Sequence, residues 1–195
     1  KDGLLYGTTG TILSQPGSTS VVFRVMCDGS AYAILHSFPG LPGDAQNIQT
    51  GLTEGTNGFL YGTTSATTSV GSNFGTVFRL DKNGSNFATL HTFTSTASDG
   101  RNPLGTLAQA SDGYFYGTTG NGGSNGQGTV FRMDGAGNDY QIIHHFASAA
   151  NDGHNPVAGL IEGSDGALYG TTTAGGSNNF GTVFRLDKAG AEYLI

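Results

Sequence analysis

The chain has 195 residues, a formal net charge of −6 at pH 7 and 11% charged residues, against about 25% in typical soluble domains. Because it has no stripe of Lys and Arg to neutralise phosphates, this composition excludes a general nucleic-acid binder. One cysteine, Cys27, excludes an intrachain disulfide framework, and no apolar run approaches the roughly 20 residues of a membrane helix. Its 34 glycines predict many tight turns between short strands.

One short motif recurs along the chain at nearly constant spacing. Its tyrosines are 53 to 55 residues apart, in LYGTT at 5–9 and 60–64, FYGTT at 115–119 and LYGTT at 168–172. VFR follows every copy, and LHSF, LHTF and IHHF follow the first three. Nearly all length variation falls between YGTT and VFR, which indicates a rigid unit around one variable loop. Repeats of this period are typical of solenoids and propellers.

Each copy predicts four short strands. In the last copy, AGLIEGS (158–164) and ALYGTT (167–172) flank Asp165-Gly166, a hairpin dipeptide that favours positive φ at both turn positions. TVFRLD (182–187) is the third strand, and DKAG (187–190) predicts a type I turn that ends in a glycine bulge. The fourth strand begins at EYLI. No window sustains a 3.6-residue period, so no ordinary helix is expected.

The pattern predicts an all-β chain, a β-propeller with four-stranded antiparallel blades of about 53–55 residues and about 15 strands in almost four blades. A β-solenoid is the alternative, but its coils do not reverse as hairpins do. The predicted blades are 1–38 (blade 1, without its innermost strand), 48–93 (blade 2), 103–146 (blade 3) and 156–195 (blade 4, with an incomplete last strand). These ragged ends predict a segment of a longer array; alternatively, several chains complete one ring.

The segment GSDGALYGTTTAGGSNNFGTVFRLDKAG (163–190) resembles the Gloeobacter–Verrucomicrobia, or GloVer, tandem repeat of bacterial choice-of-anchor surface proteins. The resemblance covers nearly the whole chain and implies a secreted or surface-anchored bacterial protein with propeller-like repeats and no catalytic residue to transfer. The first copy departs from the pattern: GTILSQPGSTS (10–20) replaces the Gly-Gly-Ser-Asn loop, and Cys27 stands where the second copy has Lys82.

Three aligned residues precede the YGTT strands, on the innermost strand of blades 2 to 4: Glu54, Gln109 and Glu162. At a channel mouth, Glu54 and Glu162 are candidate catalytic acid and base, and Gln109 is a candidate binding residue. The segment GGSNG (122–126) matches the G-x-S-x-G sequence pattern of a nucleophile elbow. Ser124, however, lies between two strands and not at a strand-to-helix turn, so a structural loop is expected.

Five histidines divide into two groups. His36, His91 and His144 recur in register, so each is expected to hydrogen-bond within its blade. His145 and His154 each occur once, which makes them candidate binding residues. His144 and His145 are adjacent on a strand and point to opposite faces, which weakens a joint metal site.

An Asp-x-x-Asn pattern recurs in the connections between blades. The candidate Ca²⁺ ligands are Asp44, Asn47, Asp99, Asn102, Asp152 and Asn155, since Ca²⁺ binds such oxygens. The alternative is an Asx-type turn that satisfies loop amides. The VFR arginines are the expected structural partners of these aspartates: Arg24, Arg79, Arg132 and Arg185.

The copies agree on packing and turn residues, which favours a non-catalytic extracellular or cell-surface module, either structural or a platform for glycan or protein binding. No cofactor is expected apart from the candidate Ca²⁺, and no nucleic acid or membrane span. One alternative is a propeller hydrolase or lyase acting on polysaccharide. Another is a surface or filament protein that self-assembles through exposed strand edges.

Overall fold

The computed structural model describes residues 3–10, 19–38, 47–65, 74–149 and 152–195, and every regular element within them is a β-strand. Most strands form four antiparallel sheets whose strands follow chain order, one for each copy of the repeat. Blade 1 comprises β1 (Leu4–Thr9), β2 (Ser20–Met26) and β3 (Ala33–Phe38). Blade 2 comprises β4 (Thr53–Glu54), β5 (Leu60–Ser65), β6 (Gly75–Leu80) and β7 (Ala88–Thr92).

The remaining strands complete blades 3 and 4 and two short ribbons. Blade 3 comprises β9 (Ala108–Gln109), β10 (Phe115–Thr119), β12 (Thr129–Met133) and β13 (Gln141–His145). Blade 4 comprises β15 (Ile161–Glu162), β16 (Leu168–Thr171), β18 (Val183–Leu186) and β19 (Tyr193–Leu194). The ribbons join inter-blade connections to YGTT–VFR loops: β8 (Gly100–Arg101) with β11 (Asn121–Gly122), and β14 (Gly153–His154) with β17 (Ala174–Gly175).

The register of the YGTT and VFR strands explains why both motifs recur. Glycine lies opposite phenylalanine in all four blades, in the pairs Gly7–Phe23, Gly62–Phe78, Gly117–Phe131 and Gly170–Phe184. A Cβ on Gly117 would lie 2.5 Å from the Phe131 ring, which is closer than side chains pack. The glycine therefore leaves the space that the phenylalanine ring occupies.

The second threonine of YGTT forms a buried polar pair across the same strands. Thr119 Oγ1 lies 2.8 Å from Thr129 Oγ1, and Thr64 and Thr76 form the equivalent 2.7 Å pair in blade 2. Thr119 and Thr129 are both fully buried. Because buried hydroxyls are hydrogen-bonded in folded proteins, each threonine supplies a partner that the other needs in the core.

The Asp-Gly turns differ from the two-residue hairpin that the sequence predicts. Gly166 has φ of 76°, but the positive-φ residues do not include Asp165, and the loop closes from the Gly163 amide to the Ala167 carbonyl. The loop thus has three residues, in which only the glycine takes the left-handed conformation. The turn at 187–190 agrees with the prediction: the Gly190 amide donates to the Asp187 carbonyl, and Gly190 has φ of 80°.

The hydrophobic core lies between successive sheets. One cluster joins blades 1 and 2 through Val22, Phe38, Leu60 and Phe78, and the next two clusters join blades 2 to 3 and 3 to 4 in the same way. Together with the antiparallel order of the strands, these face-to-face contacts fit propeller blades and not the parallel coils of a solenoid. No helix in the described part of the chain is long and apolar enough to cross a membrane.

Candidate functional site

The three aligned residues of the first strands lie where the YGTT hairpin begins, and the structure gives Glu54 and Glu162 lysine partners. Glu54 Oε1 lies 2.5 Å from Lys82 Nζ, and Glu162 Oε1 lies 2.5 Å from Lys188 Nζ. Both lysines occupy the same turn position of their own blade.

Glu162 also joins its blade to the preceding one. The Ser111 amide and hydroxyl each donate to the Glu162 carboxylate over 2.7 Å, and Lys188 Nζ donates to Ser111 Oγ over 2.8 Å. The hydrogen bond from Lys188 and then those from Ser111 lower the pKa of Glu162 to about 2. An acid of this strength holds no proton to donate near neutral pH, so Glu162 is poorly suited to general acid catalysis.

Gln109 makes the same cross-blade contact without charge. Its Oε1 accepts from the Thr56 amide over 2.8 Å, and its Nε2 donates to Thr56 Oγ1 over 3.2 Å and to the Gly113 carbonyl over 3.1 Å. Thr56 occupies the turn position of blade 2 that Ser111 occupies in blade 3. In blades 3 and 4, the side chain at this position therefore caps the hairpin turn of the preceding blade.

The repeated histidines lie at the interfaces between blades, where each stacks on an aromatic ring of the following blade. His36 stacks on Phe87, His91 on Tyr140 and His144 on Tyr193, with centroids 3.7, 3.6 and 4.0 Å apart. The expected hydrogen bond is present for His91, whose Nε2 is 3.4 Å from Asp99 Oδ1. The histidine therefore joins two blades, although the sequence predicts a role within one.

Asp99 is the buried centre of the interface between blades 2 and 3. Tyr140 donates its hydroxyl to Asp99 Oδ1 over 2.7 Å, and the Thr94 amide donates to Oδ2 over 2.9 Å. Burial opposes ionisation, but the hydrogen bonds from His91, Tyr140 and Thr94 outweigh it and lower the pKa of Asp99 to about 2. Burial and then the Asp99 charge raise the pKa of Tyr140, so its hydroxyl stays protonated.

The next interface repeats this arrangement. Tyr193 donates to Asp152 Oδ1 over 2.7 Å, and the Ala147 amide donates to Oδ2 over 2.7 Å. His144 Nε2 is 3.8 Å from Asp152 Oδ1, beyond hydrogen-bond distance. Burial lowers the pKa of His144 despite the nearby carboxylate, which favours the neutral ring that stacks on Tyr193.

The predicted pairing of the VFR arginines with the connection aspartates is wrong at the described positions. Arg79 donates to the Gly135 carbonyl over 2.9 Å, Arg132 to Gln141 Oε1 over 3.2 Å and Arg185 to Asp165 Oδ2 over 3.1 Å. The aspartates instead meet tyrosines and backbone amides, because they lie in the connection at the opposite end of the strands from these arginines. The pairing of Arg24 with Asp44 lies outside the described residues.

The candidate Ca²⁺ ligands are engaged in loop contacts. Asn102 and Asn155 have φ of 56° and 57°, and their amide groups donate to Asn121 Oδ1 and to the Gly120 carbonyl. The Asn47 main chain pairs with Ser65. Among the residues that the structure describes, no three His, Cys, Asp or Glu side chains converge, while Asp44 lies outside them. The Ca²⁺ site stays a prediction.

The two single histidines lie in separate local contacts. His145 Nδ1 is 3.3 Å from the Ser124 amide, and His154 Nδ1 is 2.7 Å from Asn155 Oδ1. Ser124 lies in a loop between β11 and β12, as expected, and its contact with His145 is made by the amide, not the hydroxyl. Among the residues that the structure describes, neither histidine is paired with a serine hydroxyl, as a catalytic pair would require.

The sequence reasoning missed the aromatic residues that complete the interfaces. An aromatic residue precedes each repeated histidine by four positions, in Tyr32, Phe87 and Tyr140, and Tyr193 occupies the same position in the last copy. This recurrence was the available signal. Its meaning depends on a partner about 50 residues away, in the neighbouring copy.

Solved structures share this arrangement of sheets. Nidogen in a complex with laminin has a TM-score of 0.61 at 16% identity, over 98% of this chain and 59% of that one. TolB from Acinetobacter baumannii has a TM-score of 0.58 at 13% identity, over 98% of this chain and 41% of that one. A protein of unknown function from Dyadobacter fermentans has a TM-score of 0.66 at 12% identity, over 99% of this chain and 65% of that one. The chain thus spans less than two thirds of each of these structures.

At such low identity these likenesses establish the fold alone, which is that of a β-propeller. A search among curated protein sequences found no match. The family model of the Gloeobacter/Verrucomicrobia repeat matches residues 1–195, in agreement with the resemblance seen in the recurring motifs. The chain belongs to the Gloeobacter/Verrucomicrobia repeat family.

Proposed function

We propose that the chain is a non-catalytic module of an extracellular or cell-surface protein and serves as a platform for glycan or protein binding. The observation that carries this proposal is the state of Glu162, which accepts hydrogen bonds from Ser111 and Lys188 and has a pKa of about 2. Glu54 is likewise paired with Lys82. Both carboxylates that acid–base chemistry would need are thus engaged with lysines of their own blades, and Glu162 also joins blade 4 to blade 3.

A depolymerisation assay tests this proposal. The purified chain is incubated with plant and bacterial polysaccharides, and both retention of the chain on each polymer and release of reducing or unsaturated ends are measured. We expect retention without released ends. Turnover that is abolished by Glu162→Gln, with unfolding unchanged, would replace the binding module with the hydrolase or lyase. Glu192→Gln is the matched control, because Glu192 is an exposed acid of the same blade.

Exposed apolar side chains on blades 1 and 4 favour a second function, self-assembly. Tyr32 and Ile34 of blade 1 are 56% and 54% exposed, and Phe180 and Val183 of blade 4 are 90% and 68% exposed. The equivalent of Phe180 in blade 2, Phe74, lies under the Arg101 guanidinium at 5.4 Å. These exposed apolar side chains are candidate contacts for a second copy of the chain.

Light scattering over a concentration series tests self-assembly. We expect mass to rise with concentration, and Phe180→Ser with Val183→Ser to suppress that rise. A strict monomer at every concentration would exclude assembly and leave the binding module unaffected.

A further inference from the structure

Blade 3 carries an open polar depression. It has a volume of about 450 Å³ and is lined by Tyr114, Arg132, Asp139, Tyr140 and Gln141. The Arg132 guanidinium lies 5.1 Å from the centroid of the Tyr114 ring and donates from Nε to Gln141 Oε1 over 3.2 Å. Tyr114 donates its hydroxyl to Asp139 Oδ2 over 3.4 Å. An aromatic ring, a cation, a carboxylate and an amide thus share one open site, the blade 3 pocket.

The same positions in blade 2 show that folding does not require these polar groups. Phe59, Asn86 and Ala88 stand there in place of Tyr114, Asp139 and Gln141. Asn86 and Asp139 even share φ of 53°, so the two backbones match at this point. Because the equivalent blade forms with less polar residues, the polar groups of blade 3 are free to serve another role.

The VFR arginine has different partners in blades 2 and 3. In blade 2, Arg79 reaches the following blade and donates to the Gly135 carbonyl over 2.9 Å. In blade 4, Lys188 stands at the position that Gly135 occupies in blade 3. Arg132 hydrogen-bonds within its own blade, to the neutral Gln141 and to Tyr116, and lines the open depression.

These groups match the chemistry of a sugar ring. An aromatic ring can cover the apolar face of a pyranose, while Asp139 accepts hydrogen bonds from its hydroxyls and Arg132 and Gln141 donate to them. The charges of Arg132 and Asp139 balance, which favours an uncharged ligand over a phosphate or sulfate. We propose that the blade 3 pocket binds a pyranose unit of a neutral polysaccharide; this inference rests on the proposed binding function.

Binding of short cello-, laminari-, manno- and xylo-oligosaccharides, measured by calorimetry and by NMR shift mapping, tests the proposal. The key variant combines Tyr114→Phe, Asp139→Asn and Gln141→Ala, which recreates the residues of blade 2 and so keeps the fold. We expect at least one oligosaccharide to bind the wild-type chain and to lose about tenfold or more in affinity in this variant. Tyr114→Ala should weaken binding further.

The matched control places the polar set on blade 2, through Phe59→Tyr, Asn86→Asp and Ala88→Gln. Since Arg79 is engaged with Gly135, this variant should bind as the wild type does. Equal binding by the wild type and the blade 3 variant would show that the blade 3 pocket is not the binding site. The proposed binding function of the chain would remain. Failure of every oligosaccharide to bind the wild type would overturn the pocket and the glycan-binding form of the proposed function together.

Discussion

His91 of blade 2 stacks on Tyr140 of blade 3, with ring centroids 3.6 Å apart and planes inclined by 14°. Both side chains also reach Asp99, His91 at 3.4 Å and Tyr140 at 2.7 Å. A stacked pair that shares one buried carboxylate couples the two blades through packing and charge at once. The four predictions below all follow from contacts within or between blades.

Removing the Tyr140 hydroxyl should weaken the blade 2–3 interface and leave the stacking intact. Tyr140→Phe recreates the ring that already stacks on His36, namely Phe87. Because the lost hydrogen bond goes to a charged group, we expect a loss of about 1.5–3 kcal/mol in unfolding free energy, measured by urea denaturation. Tyr32→Phe is the control, since Tyr32 is 56% exposed at the equivalent position. Equal losses in both variants would contradict the role of Asp99.

The Asp99 carboxylate should make stability fall at acidic pH. Its pKa in the folded chain is about 2, below its ordinary value of 3.8. The ionised carboxylate therefore makes its full contribution to the free energy of unfolding above about pH 4. As the pH falls towards 2, this contribution of about 2 kcal/mol is lost. We expect the stability gap between the wild type and Asp99→Asn to be wide at pH 7 and to narrow below pH 4. A constant gap across this range would show that the carboxylate charge contributes nothing.

Adding a methyl group at the YGTT glycine should clash with the phenylalanine opposite. The new Cβ of Gly117→Ala would lie 2.5 Å from the Phe131 ring. We therefore expect the free energy of unfolding to fall by about 1–3 kcal/mol. Leucine at position 131 relieves the clash. The double variant Gly117→Ala with Phe131→Leu should therefore lose less stability than the two single variants lose together. Gly51→Ala is the control, as its nearest atom would lie 3.8 Å away. Full additivity would contradict the steric explanation.

The carboxylate of Glu162 should titrate well below a free glutamate. Its pKa of about 2, against 4.5 ordinarily, depends first on Lys188 and then on Ser111. In Lys188→Met we expect an upward shift towards the ordinary value, followed by NMR of the side-chain carboxyl carbon. Lys82→Met serves as the control, because Lys82 pairs with Glu54 and should leave Glu162 unchanged. A Glu162 that titrates near 4.5 in the wild-type chain would contradict the paired geometry.

Within a blade, the sequence was sufficient to predict most of the structure. Turn glycines and alternating motifs are local, so the four strands, their order and the turn at 187–190 followed from neighbouring residues. The Asp165-Gly166 turn was predicted wrongly, because the same dipeptide occurs in two-residue and three-residue hairpins and only backbone geometry separates them.

Between blades, the sequence was insufficient because partners come from different copies. Tyr140 and Asp99 are 41 residues apart, and Ser111 and Glu162 are 51 apart. A repeat also offers several equivalent partners for each side chain, and the arginines were paired with the wrong set for this reason. The blade 3 pocket was likewise hidden, since its residues stand out only when the copies are compared at matched positions.

The histidine of each blade is completed by an aromatic residue of the next, and this rule determines how such a gene can change in length. If recombination removed blade 2 as a whole copy, His36 would meet Tyr140, an aromatic residue of the same kind as Phe87. A junction inside a copy would instead separate a histidine from its ring. Unequal crossing-over between whole copies is therefore tolerated structurally, and insertion or deletion of half a copy is not.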